Sequence, residues 1–533
     1  MLQRSYPKVI VMSDKLVEIA EDSARGGFFL FTGNASQLIV LAIGSIIVAR
    51  LLGPENYGLL SLSLVIPSIL AGLIDLGVNS SLTRFSARLR AEGKAQLAAG
   101  MLRSGFLFKL LIGVAMSATC FIFSDALATH VLNRPGMGFL VRIASSLILF
   151  QTIFTTLNSA FIGLDRMDGS ALIMNAQSVA KTTLSSLLVV LGFSVVGALA
   201  GHIAGYMIAG LAGGLIFSRY YKGLGKPSNN SFSSNLRVML HYGFPLYLSA
   251  LILLIRGQYQ TVILAFFTSN VEIGNLGIAT NLSSMMNVLI FPLAVLFPAF
   301  SKVSPNSNEL KKTFKLAVKY TALFTVPAAV LVATLSKDLV YTLYGHSYSS
   351  APTFLSLYIL TFLYTGAGSI VITYLFSGIG ETSTVFKCNL INLLVFLPLA
   401  PTLTMLYGVP GLIVAFLISG LTSLAYGLFI ATKKIQVNLD LKASSRIYLS
   451  SFLSAIPLLA FLHISPLHGL PNVLTSGSLF LLTYLTLIPL TGAITHTDLE
   501  SLKLILSRIK TLWPLIRPVL TYEAKLLSTP PQK

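Results

Sequence analysis

The sequence predicts an all-α polytopic membrane protein with about fourteen transmembrane helices, arranged as two parallel six-helix lobes plus two extra C-terminal helices. Three observations predict it. Charged residues make up 10% of the 533 positions while hydrophobic residues make up 54%. A soluble domain carries roughly 25% charged residues, so this chain lacks the polar residues to cover a soluble surface. Apolar runs of membrane-spanning length recur along the whole chain. The basic residues between those runs alternate strongly from one connecting segment to the next. The composition also excludes disorder, and two cysteines exclude a disulfide-stapled scaffold.

A crossing helix needs about 20 mostly apolar residues. Fourteen runs qualify: 27–49, 57–80, 104–124, 143–162, 171–193, 195–217, 243–266, 273–299, 320–336, 351–377, 388–406, 408–431, 447–464 and 473–494. The first 25 residues are mixed in character and lack a signal-peptide core, so the first span is expected to be retained. The chain then divides into an N-terminal segment (1–26), a first lobe (27–217) and a Ser-, Asn- and Gly-rich linker (218–242). A second lobe (243–431), two added spans with their preceding loop (432–494) and a tail (495–533) follow. In the tail, Leu499–Trp513 carries apolar residues at helical spacing, which predicts an amphipathic helix at the membrane surface.

The net charge of +19 raises nucleic acid as a partner. The position of the charges removes it. Thirty of the 37 Lys and Arg fall on segments that share a side with the N-terminus. Four (Arg50, Arg134, Arg142, Lys337) fall on the opposite side, and three (Lys109, Lys181, Arg256) lie within spans. Lys and Arg collect on the cytoplasmic side of membrane proteins, which puts both termini in the cytoplasm. The excess of positive charge then orients the chain and attracts anionic lipid headgroups.

The two lobes share a pattern. At an offset of 216, Gly58 matches Gly274, Leu60 matches Leu276 and Leu62 matches Ile278. With one residue of slip, Arg84-Phe85-Ser86 falls on Ala299-Phe300-Ser301. Six spans per lobe is an even number, so the repeats run parallel, and substrate sites in such transporters lie at the midplane between repeats.

An ionisable side chain at the bilayer centre costs at least about 2.5–3.5 kcal/mol, so each one needs a reason. Arg256 lies about 13 residues into span 7, roughly 20 Å deep at the helical rise. Lys181 lies near the middle of span 5, on a polar stripe with Asn175, Ser178, Thr182 and Ser185. Span 8 has a second stripe (Gly277, Thr280, Asn281, Ser284, Asn287), span 2 a third (Ser68, Gly72, Asp75, Asn79), and span 1 offers Asn34 and Gln37. Gln260 follows Arg256 by one turn. The candidate substrate-binding set is therefore Arg256, Lys181, Asn34, Gln37, Ser178, Asn281 and Gln260, with Asp75 as a coupling candidate. The stripes have a second reading, in which hydroxyls bond their own helix and small residues pack helices closely. Arg256 could instead pair with Asp75, Asp75 could anchor the inner end of its span, and Lys109 and Arg142 lie near enough to the surface to snorkel. Two net positive charges within the spans suit an anionic cargo such as a phosphate or diphosphate.

No metalloprotease helix, Cys/His cluster or phosphate-binding loop occurs, and no cofactor or metal is expected. Cys120 and Cys388 lie in different spans and read as packing residues. His202 is alone in span 6. The outside loops are short for a membrane enzyme acting on lipid-linked sugars, so an enzyme is not expected.

Ala49-Arg50-Leu51-Leu52-Gly53-Pro54-Glu55-Asn56-Tyr57-Gly58, then Asp75-Leu76-Gly77 and Arg84-Phe85, resemble the opening of the polysaccharide-biosynthesis flippases. These are the Wzx-like members of the multidrug/oligosaccharidyl-lipid/polysaccharide exporter superfamily. Gly243-Phe244-Pro245-Leu246-Tyr247 and Leu343-Tyr344-Gly345 resemble it too. The resemblance implies two bundles that open alternately to either side of the cytoplasmic membrane. It implies a cargo of polyprenyl-phosphate- or diphosphate-linked oligosaccharide whose headgroup sits in a cationic cavity, a role that suits Lys181 and Arg256. It implies a monomer among membrane lipids, working beside glycan-assembly enzymes. The alternative within the superfamily is a cation-coupled multidrug or small-molecule exporter, but span 1 holds none of the acids of the drug-exporting relatives.

Overall fold

The computed structural model describes residues 14–227, 231–287, 300–301, 303–304, 307–506 and 513–528. Nine helices among the described residues are long and apolar enough to cross a membrane. The number is ten if Ala351–Ala367 and Ser369–Gly378, bent by 52° at Gly368, form one crossing. Three of the nine are more than twice the length one crossing needs: Phe29–Leu73, Met167–Lys222 and Thr382–Ile435. Each is broken by a kink at a glycine of positive φ, at Gly53 (72°), Gly192 (93°) and Gly408 (62°). A Cβ would strain that backbone, and glycine carries none. The breaks fall where the sequence places the turns between spans 1 and 2, 5 and 6, and 11 and 12. The multi-pass helical fold is therefore as expected, and the described helices are consistent with fourteen crossings. The second half of predicted span 8 lies outside the described residues.

The helices in chain order are α1 (Asp14–Ser63), α2 (Val65–Leu73), α3 (Val78–Ala91), α4 (Ala95–Ile122), α5 (Ser124–His130), α6 (Gly138–Ala144), α7 (Ser146–Gly163), α8 (Met167–Leu188), α9 (Ser194–Lys222) and α10 (Phe232–Phe267). They continue as α11 (Asn270–Ser284), α12 (Asn308–Thr334), α13 (Ser336–Tyr344), α14 (Ala351–Tyr358), α15 (Ser369–Gly378), α16 (Thr382–Ile430), α17 (Leu441–Ile464), α18 (Leu470–Leu490), α19 (His496–Leu506) and α20 (Trp513–Ser528). They form two compact units. The first spans Met1–Ser45, Ile66–Thr129 and Pro135–Leu251; the second spans Ile46–Val65, His130–Arg134 and Ile252–Lys533.

The core of the first unit is built from α3, α4, α7, α8, α9 and the start of α10. Leu82, Leu102, Leu157, Phe161, Ile173, Phe217 and Met239 meet there. Small residues let α8 and α9 touch at backbone distance: a Cβ on Gly201 would lie 2.2 Å from the Ser185 amide nitrogen. Close packing also joins α3 to α10. Gly77, in the left-handed region at the start of α3, leaves no space for a Cβ against the Gly243 carbonyl oxygen, 2.0 Å away. Ser81 Oγ donates to the Met239 carbonyl at 2.6 Å, and the Arg84 guanidinium lies 4.1 Å from the centre of the Tyr242 ring.

In the second unit α12 runs through two clusters. Phe314 and Val318 pack with Val371, Leu375 and Phe376. Ala322, Val326 and Val330 pack with Ile447, Leu458, Phe480 and Tyr484 from the two added helices α17 and α18. The tail also folds against this cluster. Helix α19 covers the predicted amphipathic segment as far as Leu506, residues 507–512 of that segment lie outside the described residues, and α20 follows, an element the apolar spacing did not single out. Leu520 and Leu527 of α20 pack on the cluster, and Glu523 is buried. Asp498 fixes the start of α19: it accepts from the Thr495 amide and hydroxyl and pairs with Lys319 at 2.5 Å. Burial works against its charge, but these donors outweigh burial and hold the Asp498 carboxyl below the usual range. Arg134 closes the other end of the unit. It donates to the Ala265 and Thr268 carbonyls, both at 2.7 Å, at the end of α10 where helical carbonyls lack partners.

Candidate functional site

The intramembrane charges sort into one pair and two single cations. Lys109 on α4 is 2% exposed and its Nζ lies 2.9 Å from Asp75 Oδ1. Asp75 Oδ2 accepts from the Gly77 amide at 3.2 Å, which supports the break between α2 and α3. Two expectations change here. Lys109 does not snorkel, because a carboxylate lies within reach inside the unit and neutralises it. Asp75 pairs with Lys109 and not with Arg256. Arg142 reaches Asp125 at 2.6 Å and the Ser124 hydroxyl at 3.1 Å, so it too is held by protein.

Lys181 has no hydrogen bond or ion pair among the described residues, and is half-buried on α8. Its stripe does not line up behind it. Asn175 donates to the Gly33 carbonyl and Thr182 to the Val40 carbonyl, both at 3.2 Å, and so fasten α8 to α1. Ser178 is fully buried and donates to Asn175 O at 2.9 Å on its own helix. Ser185 donates across to Ala198 O of α9 at 2.9 Å. A polar stripe of five residues thus leaves one group, the ammonium, unmatched. Asn34 donates to Leu30 O at 2.8 Å on its own helix, and Gln37 is half-buried. His202, alone in span 6, lies within electrostatic reach of Lys181 of span 5.

Arg256 is the corresponding group of the second unit. Its Nη1 donates to Asn392 Oδ1 of α16 at 2.8 Å, and its guanidinium lies 4.7 Å from the centre of the Phe416 ring. Tyr358 of α14 stacks on the same Phe416, with ring centres 5.2 Å apart. Tyr259, beside Gln260, donates to Leu397 O at 3.0 Å and ties α10 to α16. A guanidinium has five N–H donors. One is used by an uncharged amide and no carboxylate pairs with Arg256 among the described residues, so donors and the full charge remain for an anion. Asn281 belongs to a different cluster: it donates to the Tyr57 hydroxyl at 2.7 Å.

Asn392, Phe416 and Tyr358 were not legible as site residues. A lone amide or aromatic in an apolar span carries no charge to mark it, and only the packing of α14 and α16 beside α10 brings them to Arg256.

The family profile described as "Polysaccharide biosynthesis protein" matches residues 23–304. The lipopolysaccharide biosynthesis protein WzxC of Escherichia coli (strain K12) is 21% identical over 414 residues, covering 75% of this chain and 79% of that one. The succinoglycan biosynthesis transport protein ExoT of Rhizobium meliloti (strain 1021) is 24% identical over 348 residues, covering 65% and 67%. Among solved structures, the lipid II flippase MurJ in an inward closed conformation matches with a TM-score of 0.72 at 16% identity, covering 86% of this chain and 98% of that one. An inward-facing multidrug resistance transporter of the MATE family matches with a TM-score of 0.62 at 17% identity, covering 75% and 94%. At such identities the structural likeness is one of fold alone.

Proposed function

Because this chain belongs to the polysaccharide biosynthesis protein family, we propose that Arg256 and Lys181 receive the phosphate or diphosphate of a lipid-linked oligosaccharide that the chain flips across the membrane. The cargo is a polyprenyl-phosphate- or diphosphate-linked glycan. Its headgroup meets the cations while the lipid tail stays in the bilayer, and the protein opens alternately to either side. The protein acts in the cytoplasmic membrane with both termini inside, as a monomer and a transporter without enzymatic turnover, beside glycan-assembly enzymes.

One observation carries the assignment. Lys181 in the first unit and Arg256 in the second lie deep within predicted spans, and neither has a carboxylate partner among the described residues. Such a charge is costly in a low-dielectric setting unless a ligand compensates it, and a diphosphate does so with several acceptor oxygens. A cationic drug would meet like charge instead. Asp75, the carboxylate expected within the spans, is engaged by Lys109.

The test replaces Arg256→Ala and Lys181→Ala separately. Each variant should abolish surface glycan, detected by a lectin, at unchanged protein level. Full export by both would remove them from the site. Dye efflux or drug resistance with no glycan phenotype would point to the exporter reading.

A further inference from the structure

A second polar site lies at one end of the second unit, where three turns meet: the turn between α10 and α11, the turn before α14, and the break at Gly408 inside α16. They enclose a cavity of about 580 Å³, open to the surface, within the range of small-molecule sites. Glu272 is its charged lining residue. The Ser350 hydroxyl donates to Glu272 Oε1 at 3.0 Å, and the Glu272 amide donates to Ser269 Oγ at 3.3 Å. The second carboxylate oxygen has no partner among the described residues, nor do the hydroxyls of Ser349, Thr353 and Tyr407, which line the same cavity. Phe267 and Tyr407 supply aromatic surface, and Tyr407 is 67% exposed.

The donor and acceptor set limits what fits. No lining residue is basic, so phosphate and sulfate find no counter-charge. One carboxylate is too few for a calcium or magnesium site, which gathers several oxygen ligands. An apolar ligand would leave a carboxylate and three hydroxyls unmatched. A sugar ring matches all of them. Its hydroxyls both donate and accept, one oxygen of Glu272 stands ready to accept, and its C–H face lies flat on an aromatic ring. Glu272 repels an acidic sugar.

We propose that this cavity binds a neutral hexose. Resting on the topology of the flippase reading, in which all three turns face the outside, it takes the sugar end of the cargo, at the far end of α10 from Arg256, which meets the phosphate. The two sites divide one amphiphilic substrate by its chemistry: charge deep in the spans, hydroxyls at the outer rim.

Saturation-transfer NMR on the full chain in detergent tests it, with free glucose, galactose, mannose, cellobiose and lactose as probes. At least one probe should receive saturation. Tyr407→Ala and Glu272→Gln should each weaken its binding by about tenfold, the effect of losing one hydrogen bond to a charged group or an equivalent contact. Glucuronate should receive less than any neutral probe that binds. Silence from all five probes would overturn the proposal. So would transfer that both variants leave unchanged, which would make Tyr407 an interfacial aromatic anchor, or stronger transfer to glucuronate. Arg256→Ala should leave sugar binding intact. If that variant also kept full glycan export, the flippase assignment of Arg256 would fail while the sugar site stood.

Discussion

Gly58 and Gly274 meet across a backbone contact that admits no side chain on either. A Cβ on Gly58 would lie 1.9 Å from the Asn270 carbonyl oxygen, and one on Gly274 would lie 2.0 Å from the Pro54 carbonyl oxygen. The contact is reciprocal in sequence as well: the same offset of 216 that pairs Gly58 with Gly274 pairs Pro54 with Asn270. Gly58→Ala and Gly274→Ala should each cost ~1–3 kcal/mol, as overpacking does. The double variant should cost less than the sum, because one displacement relieves both clashes. Thermal unfolding of the four proteins in detergent measures this. Additive losses would mean two separate contacts.

The Asp75–Lys109 pair gives a sharper signature. Removing one partner leaves a buried charge uncompensated, at a cost of about 3–5 kcal/mol. Asp75→Asn and Lys109→Met should therefore each deplete folded protein, and the double variant should recover most of it. Fluorescence-detected size exclusion reports the amount. If Asp75→Asn folds normally yet stops export, the carboxylate acts in coupling and not only as a counter-charge.

Asn392 separates charge from shape at Arg256. Asn392→Asp keeps the size of the side chain and puts a carboxylate where the amide oxygen accepts from Arg256. The cation is then paired by protein, and export should fall as far as in Arg256→Ala. Asn392→Ala leaves the cation free and should retain partial export. Lectin staining against immunoblotted protein level reads both. Equal export by both variants would dissociate Asn392 from the site.

The tail helix α20 should be pH-sensitive. Burial raises the Glu523 carboxyl from its ordinary value to about 7. The neutral acid fits the docked helix and the carboxylate does not. Docking is thus fully favoured below the ordinary Glu range. It weakens as pH rises through about 7, by up to about 1.4 kcal/mol per pH unit. Hydrogen exchange within Trp513–Ser528 should speed up as pH rises from the ordinary Glu range to about 7, beyond the intrinsic chemical trend, and Glu523→Gln should remove the excess. An excess that persists in the variant would assign the pH response to another group.

Much of the fold was legible because the bilayer imposes one rule on every crossing: about 20 apolar residues whose backbone bonds itself. That rule located the breaks at Gly53, Gly192 and Gly408. The tail was harder to read. Segment α20 carries Pro514, Arg517, Pro518 and Lys525 among its apolar residues, and it holds together because Leu520 and Leu527 dock on a cluster formed by distant helices. The candidate site was half legible. Arg256 and Lys181 announce themselves as charges in apolar runs. The fate of the uncharged stripes does not, because a hydroxyl or amide can bond its own helix, a neighbour or a ligand with equal ease.

By itself the sequence determined that this chain is helical and crosses the membrane many times, and that a few of its 37 basic residues fall inside long apolar runs. Those are consequences of transfer free energy, which is local and additive along the chain. Only the tertiary structure decided which buried charges are already neutralised. Neither Lys109 nor Lys181 shows in the sequence whether a carboxylate lies beside it. Lys109 meets Asp75 at 2.9 Å and Lys181 meets no carboxylate among the described residues. A charge is compensated by what lies a few ångströms away in space, and helix packing alone sets that distance.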